Sequence, residues 1–236
     1  MIVLGIETSG YEGSIALLRD HVSLGEKRLN QPGRRHAQSL VREIDELLKQ
    51  NSLKSSDVDI VAVSRGPGSF TGLRVGMVFA KTFAYAAQCR FIEIDTFEVI
   101  AENLPHTISQ VLIIEDAQRD DLFVGEYVRN PTNGWNQVSP IRIVSRDEFL
   151  TNRSSTDTIT GPGIKKLGEF NCVGNWLTES SMSQPQAGVV AKLGQRYGTA
   201  ENQRSYSGNA DFWKAIPFYL RQSAAEEKRA ASPSAN

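Results

Sequence analysis

The chain has 236 residues, 40% of them hydrophobic and 22% charged, with a formal net charge of −1. That balance suits a globular core and lacks the basic surplus of a chain that grips nucleic acid alone. The two cysteines, Cys89 and Cys172, stand far apart without CxxC spacing, which argues against a zinc site or a disulfide framework.

Ile2 to Glu7 is a short apolar run rich in β-branched residues and predicts a buried strand. Gly13 to Arg19 and Val22 to Leu29 predict two more. The Asp20-His21 link between them is too short for a crossover helix, so an antiparallel hairpin is expected. Ala37, Leu40, Val41, Ile44, Leu47 and Leu48 recur at helical spacing and predict an amphipathic helix over 36–50. A strand from Asp59 to Ser64, a glycine-rich turn, a helix from Leu73 to Gln88 and a strand from Phe91 to Asp95 follow. Thr96 is the expected N-cap of a helix reaching Asn103.

The second half repeats the theme. Strands are expected at Val111–Glu115, Leu122–Tyr127, Ile141–Val144 and Ile159–Thr160, then the turn Gly161-Pro162-Gly163 and a helix from Ala187 to Tyr197. A duplicated three-strand unit with interleaved helices is the plan of actin, sugar kinases and related ATP-binding proteins. The expectation is therefore an α/β, actin-like duplicated βββαβα fold of two lobes, residues 1–105 and 106–221, the second lobe reduced. Residues 222–236 lack an apolar pattern and are expected to form a disordered tail. The start lacks the basic and apolar regions of a signal peptide, and Gly, Lys and Gln break the longest apolar stretches. A cytoplasmic chain without a membrane span is expected.

The segment Arg65-Gly66-Pro67-Gly68-Ser69-Phe70-Thr71-Gly72 joins a strand to a helix, where backbone N–H groups can hold an anion. It lacks the Gly-Lys-Ser/Thr ending of a phosphate loop. The plainer alternative is a tight turn with Thr71 capping the helix. Thr8 and Ser9 in the first hairpin, with Asp116 and Arg119 in the matching turn of the second half, form the shell of a phosphate site or else two polar hairpins. His21, His36 and His106 are scattered and give no metal-ligand pair, so no metal is expected. No G-x-S-x-G elbow marks a hydrolase.

In the 73–88 helix, Gly72, Gly76, Ala80 and Ala84 form a ridge of small residues that lets another helix approach closely. Leu73, Met77 and Phe83 flank it, so this helix is apolar on more than one side. With Leu40, Val41, Ile44, Leu47 and Leu48 of the preceding helix, it offers more apolar surface than one small sheet covers. That surplus is expected to be a partner interface, the alternative being that the two helices pack on each other and on their own sheet.

These residues add up to a family resemblance. Val3-Leu4-Gly5-Ile6-Glu7-Thr8-Ser9, His36-Ala37-Gln38-Ser39-Leu40, the stretch Val63 to Gly76, Ile114 to Arg119, Gly161-Pro162-Gly163 and Ile216 to Arg221 resemble the TsaB/YeaZ family, over nearly all of residues 1–221. The resemblance implies a non-catalytic partner of the TsaD-type transferase that forms N6-threonylcarbamoyladenosine in ANN-reading tRNAs. It implies contact with a TsaE-type ATPase through that complex, self-association as a homodimer when alone, and tRNA contact only within the complex. No cofactor is implied beyond weak ATP or ADP binding. Glu7 stands where the family more usually has Asp, and Gln118 where it has Arg. The competing reading is an active ATP-dependent transferase or kinase of the same superfold, with a protease behind it. The region after strand 91–95 carries no His-x-x-x-His metal pair.

Overall fold

The computed structural model describes residues 1–29, 36–132, 134–167, 173–199, 205–206 and 212–220. The expected tail 222–236, Arg221 and Cys172 lie outside the described residues.

The first strand, β1 (Ile2–Glu7), is buried along its whole length because it is flanked on both sides. β2 (Ser14–Arg19) pairs with it antiparallel, and β3 (Val22–Arg28) pairs with β2 through the expected hairpin. After helix α1 (His36–Gln50), β4 (Ile60–Ser64) returns parallel to β1. After α2 (Phe70–Ala87), β5 (Arg90–Ile94) adds parallel to β4. Helix α3 (Thr96–Glu102) then crosses to the second half. There β6 (Gln110–Asp116) and β7 (Asp121–Asn130) pair antiparallel.

Two short strands share the next position: β8 (Gly134–Gln137) pairs with the end of β7, and β9 (Arg142–Ser145) with its start. The predicted third strand at Ile141–Val144 is β9, whereas β8 was not anticipated. Next come α4 (Arg146–Thr151), β10 (Thr158–Thr160) parallel to β6, α5 (Ile164–Leu167), and β11 (Asn175–Leu177) parallel to β10. Short α6 (Ser180–Ser183) leads into α7 (Ala187–Thr199), and β12 (Ser205–Tyr206) closes the edge of the first sheet against β5.

The first sheet therefore runs β12-β5-β4-β1-β2-β3 and the second β11-β10-β6-β7-β8. Setting β12 aside, the two orders are the same five-strand plan, with parallel and antiparallel neighbours in the same places. This is the duplicated actin-like architecture. The second copy is reduced: α1 and α2 have 15 and 18 residues, their counterparts α4 and α5 only 6 and 4.

The chain does not divide neatly at residue 105. α7 lies on the face of the first sheet opposite α1 and α2, and it seats closely because its residues there are small. A Cβ on Gly5 would overlap Ala187 and Ala191, and one on Gly194 or Gly198 would strike Ala62 or Ile60. Phe212 and Ala215 also enter the core beneath α2. α3 is buried on nearly every side. Val99 packs on the first sheet's core, while Phe97, Ile100 and Ala101 pack on the second. It is the wedge between the two sheets.

Candidate functional site

Glu7, at the end of β1, is fully buried. Its carboxylate accepts from the Ser9 amide and hydroxyl, each at 2.5 Å, from the Gly10 amide at 3.3 Å, and from the Ser64 hydroxyl. Burial raises its pKa above the usual carboxylate range, opposed by these hydrogen bonds. The Ser9 hydroxyl is thus folded back onto Glu7 rather than presented to a ligand. Thr8 points the other way. Its Oγ1 faces Gly76 of α2 and finds no hydrogen-bond partner among the described residues.

The second hairpin closes on itself in a different manner. The Glu115 carboxylate accepts from the Asp116 amide at 2.8 Å, and Asp116 accepts from the Gln118 amide at 2.7 Å and from Lys166 Nζ. Gln118, Arg119 and Asp120 all take left-handed backbone (φ 66°, 52° and 66°), and Arg119 is exposed at the tip. The Arg146 amide donates to the Asp120 carbonyl at 3.0 Å and secures that tip. Burial pushes the Glu115 carboxyl up to about 7, with help from the charges of Asp116 and Glu7. The first hairpin also meets the C-terminal half of the chain. The chain between α6 and α7 crosses there: Pro185 packs over Gly10, and the Ala187 amide donates to Ser14 Oγ at 3.0 Å.

The glycine-rich loop takes the tight-turn form. The Ser69 amide donates to the Ser9 carbonyl at 2.7 Å. Gly66 and Thr96 exchange bonds, Gly66 N to Thr96 Oγ1 at 3.1 Å and Thr96 N to the Gly66 carbonyl at 3.0 Å. The Phe218 amide donates to the Arg65 carbonyl at 2.7 Å. Gly66 and Gly68 have φ of +114° and +152°, and a Cβ on Gly68 would overlap Ser9. The cap is Ser69, whose side chain accepts from the Gly72 amide, and not Thr71, so α2 begins three residues earlier than predicted. In the same way Asp95, not Thr96, caps α3, accepting from the amides of Phe97 and Glu98.

The residues expected to form a partner interface divide. Leu40, Ile44, Leu47 and Leu48 are buried in the core against the first sheet, as are Leu73, Met77, Ala80 and Ala84. A Cβ on Gly72 would overlap the Thr8 carbonyl oxygen and one on Gly76 the Thr8 hydroxyl. The small ridge therefore seats α2 on its own sheet, and Phe83 is half-buried against the same core. The correction has a simple cause: one sheet face, closed over by Phe212 and Ala215, covers more of these helices than its strand count suggested. What faces outward is Val41 (62% exposed) on α1, with Val78 (65%) and Tyr85 (54%) on α2, beside half-buried Val75 and Phe79.

Three structural residues were not foreseen. Lys81 is buried, and its ammonium donates to the carbonyls of Trp213, at 3.1 Å, and Ala215. Burial lowers its pKa. Asp95 accepts from Tyr127 Oη at 2.9 Å, tying β5 to β7 across the lobes. Arg65 lies 3.8 Å from Asp95 and lines a cleft of about 340 Å³ together with Phe218 and Tyr219.

Comparison with known proteins agrees with this geometry. Residues 26–139 match the family model described as TsaD, tRNA N6-adenosine threonylcarbamoyltransferase. The tRNA threonylcarbamoyladenosine biosynthesis protein TsaB of Bacillus subtilis is 31% identical over 233 residues, 97% of each chain. The chain belongs to the TsaB family. TsaB of Haemophilus influenzae is 26% identical, with 92% of this chain and 98% of the relative covered. In three dimensions YeaZ from Pseudomonas aeruginosa superposes with a TM-score of 0.73 at 22% identity, covering 93% of this chain and 99% of that one. The glycine loop most specific to the TsaB resemblance is thus the turn that stitches β4, α2, α3 and the C-terminal segment together.

Proposed function

We propose that this TsaB-family chain works in tRNA threonylcarbamoyladenosine biosynthesis as a non-catalytic, cytoplasmic subunit that docks on the TsaD-type transferase. The TsaE-type ATPase and tRNA join through that complex. The observation that carries this reading is the outward face of α1 and α2, where Val41, Val78 and Tyr85 stand exposed beside Val75 and Phe79. Exposed large apolar side chains on neighbouring helices are the kind of surface a protein partner covers, and a stable pairing buries roughly 800 Å² per partner. The same face serves a second copy of the chain when the transferase is absent. The hairpins support a subunit without its own chemistry, since Ser9 is turned onto Glu7, Thr8 onto α2, and Asp116 onto Lys166. ATP and ADP accordingly bind weakly or not at all.

The test is co-purification of the chain with its cognate transferase and reconstitution of tRNA modification. Val78→Asp, a change at an exposed position, is expected to abolish pairing and modification while circular dichroism stays native. Wild-type pairing by this variant defeats the docking face, and ATP turnover by the isolated chain defeats the non-catalytic role.

A further inference from the structure

The outward face of α2 has a chemical asymmetry. Among the described side chains of α1, the charges are internally matched: Arg42 with Glu43 and Glu46, Lys49 with Asp45, and Lys27 of β3 with Glu43 and Glu46. α2 contains no Asp or Glu at all, and its two cations are Arg74 and Lys81. Lys81 is buried and satisfied by two carbonyls.

Arg74 is exposed, one helical turn from Val78, and no carboxylate among the described residues pairs with it. It is nevertheless held still. Its guanidinium lies 3.8 Å above the Phe70 ring and 5.6 Å from the Tyr219 ring, and these two rings are themselves 4.9 Å apart. Its Nε donates to Tyr219 Oη at 2.9 Å. That bond engages Nε, and the two terminal nitrogens make no hydrogen bond to the described residues. A guanidinium with its Nε engaged and its carbon held over an aromatic ring has lost the rotamer freedom that ordinarily weakens an exposed ion pair.

Resting on the docking reading above, we infer that Arg74 is the polar anchor of the α2 face and receives a carboxylate, an Asp or Glu side chain, from the partner protein. The apolar rim of Val75 and Val78 excludes water around that pair, the setting in which a bidentate arginine–carboxylate contact contributes most. Tyr219 is its positioning residue, acting through Nε. The 212–220 segment, pinned on α2 by Lys81, is thereby part of the docking surface and not merely a cover for the core.

The experiment is titration of the full-length chain into its cognate transferase at several salt concentrations, with Arg74→Gln, Tyr219→Phe and Val78→Asp. Arg74→Gln is expected to raise Kd about 10- to 100-fold and to flatten its salt dependence. Tyr219→Phe keeps the ring and loses the Nε acceptor, and should raise Kd by roughly 3- to 10-fold. The urea midpoint of both variants should match wild type. If Val78→Asp abolishes pairing while Arg74→Gln leaves Kd and its salt slope unchanged, the anchor is refuted and the docking face stands. If both variants pair normally, the docking face fails and takes the anchor with it. If Arg74→Gln instead lowers tRNA affinity of the assembled complex without changing the subunit Kd, the guanidinium serves a phosphate and the inference is overturned.

Discussion

Replacing Gly72 by alanine tests how α2 is seated on the first sheet. In an unconstrained helix interior the change would stabilise the chain by about 1 kcal/mol, because glycine is the poorer helix former. Here a Cβ on Gly72 would lie well inside the 3.0 Å that real Cβ atoms keep, against the Thr8 carbonyl oxygen. That atom belongs to the backbone and cannot rotate aside, so the first turn of α2 must lift from β1. Lifting it strains the Ser69–Ser9 backbone bond and loosens Leu73 in the core. Overpacking of this kind costs ~1–3 kcal/mol even with side-chain neighbours. Against an immobile carbonyl a net loss of at least ~2 kcal/mol is expected, a fall in Tm of roughly 4–8 °C for a chain of this size. Gly76→Ala is the control. Its Cβ would meet the Thr8 hydroxyl, a side-chain atom that can turn, so its net effect should stay within ~1 kcal/mol. Gly76→Leu has no such escape, with Val63 also adjacent, and should unfold or severely destabilise the chain rather than selectively block pairing. Urea unfolding with unchanged m-values is the assay. A Gly72→Ala protein as stable as wild type would show that the ridge does not rest on β1, and would return it to the list of surfaces open to a partner.

Three further changes test the rest of the site. Thr8→Val removes a buried hydroxyl that has no partner and keeps the volume, and should stabilise the fold by ~1 kcal/mol or more; a lower urea midpoint would show that the hydroxyl is bonded. Ser69→Ala should cost ~1 kcal/mol as the lost cap of α2 while Thr71→Ala stays near neutral, and the reverse order in thermal melts would restore Thr71 as the cap. Glu115 has its folded pKa raised from 4.5 to about 7, so the stability present below pH 4.5 is lost as pH rises through 7. Glu115→Gln should therefore match wild type near pH 4.5 and exceed it above pH 7, by at most ~3 kcal/mol and less because the carboxylate is half-buried; equal stability at pH 8 would refute the buried-carboxylate account.

β1, β2, β4, β5, α1, α2 and α7 were legible because each is an apolar run or a helix-period pattern, and β3 because the short Asp20-His21 link makes it a hairpin partner of β2; β12, Ser-Tyr, was not. β8 and β11 were not: Gly-Trp-Asn-Gln and Asn-Trp-Leu are too short for any period to emerge, and pairing with longer neighbours defines them. Two cap errors share one origin. Ser69 and Thr71, like Asp95 and Thr96, are both capable caps close together, and only backbone geometry chooses between them. The orientation of α2 failed for a deeper reason. When a helix is apolar on most sides, periodicity cannot say which side meets the sheet, and a glycine ridge fits a strand backbone as well as a second helix. Lys81 reads in sequence as a solvated mid-helix lysine, and only the return of residues 213 and 215 makes its burial intelligible. Which residues of these two helices face outward could not be read either: Val41, Val78 and Tyr85 emerge as exposed only once the core is known.

The glycine loop has a structural reason for its sequence. Its backbone is committed in three directions: to Ser9 of the first hairpin, to Thr96 at the start of α3, and to Phe218 of the C-terminal segment. α3 is the wedge between the sheets, and Asp95 at its cap is bonded to Tyr127 of the second. α2 emerges from the loop already fixed against the first sheet, and the C-terminal segment that the loop holds supplies Tyr219 to Arg74. If the proposed docking on this face holds, the surface would lose little conformational entropy on binding, because its side chains are already ordered. Any residue other than glycine at 66 or 68 would strain a left-handed backbone position there, and the effect would spread to the hairpin, the wedge and the start of α2 together. The glycines of the loop thus answer to a fixed backbone geometry, which these three connections demand as strictly as a phosphate site would.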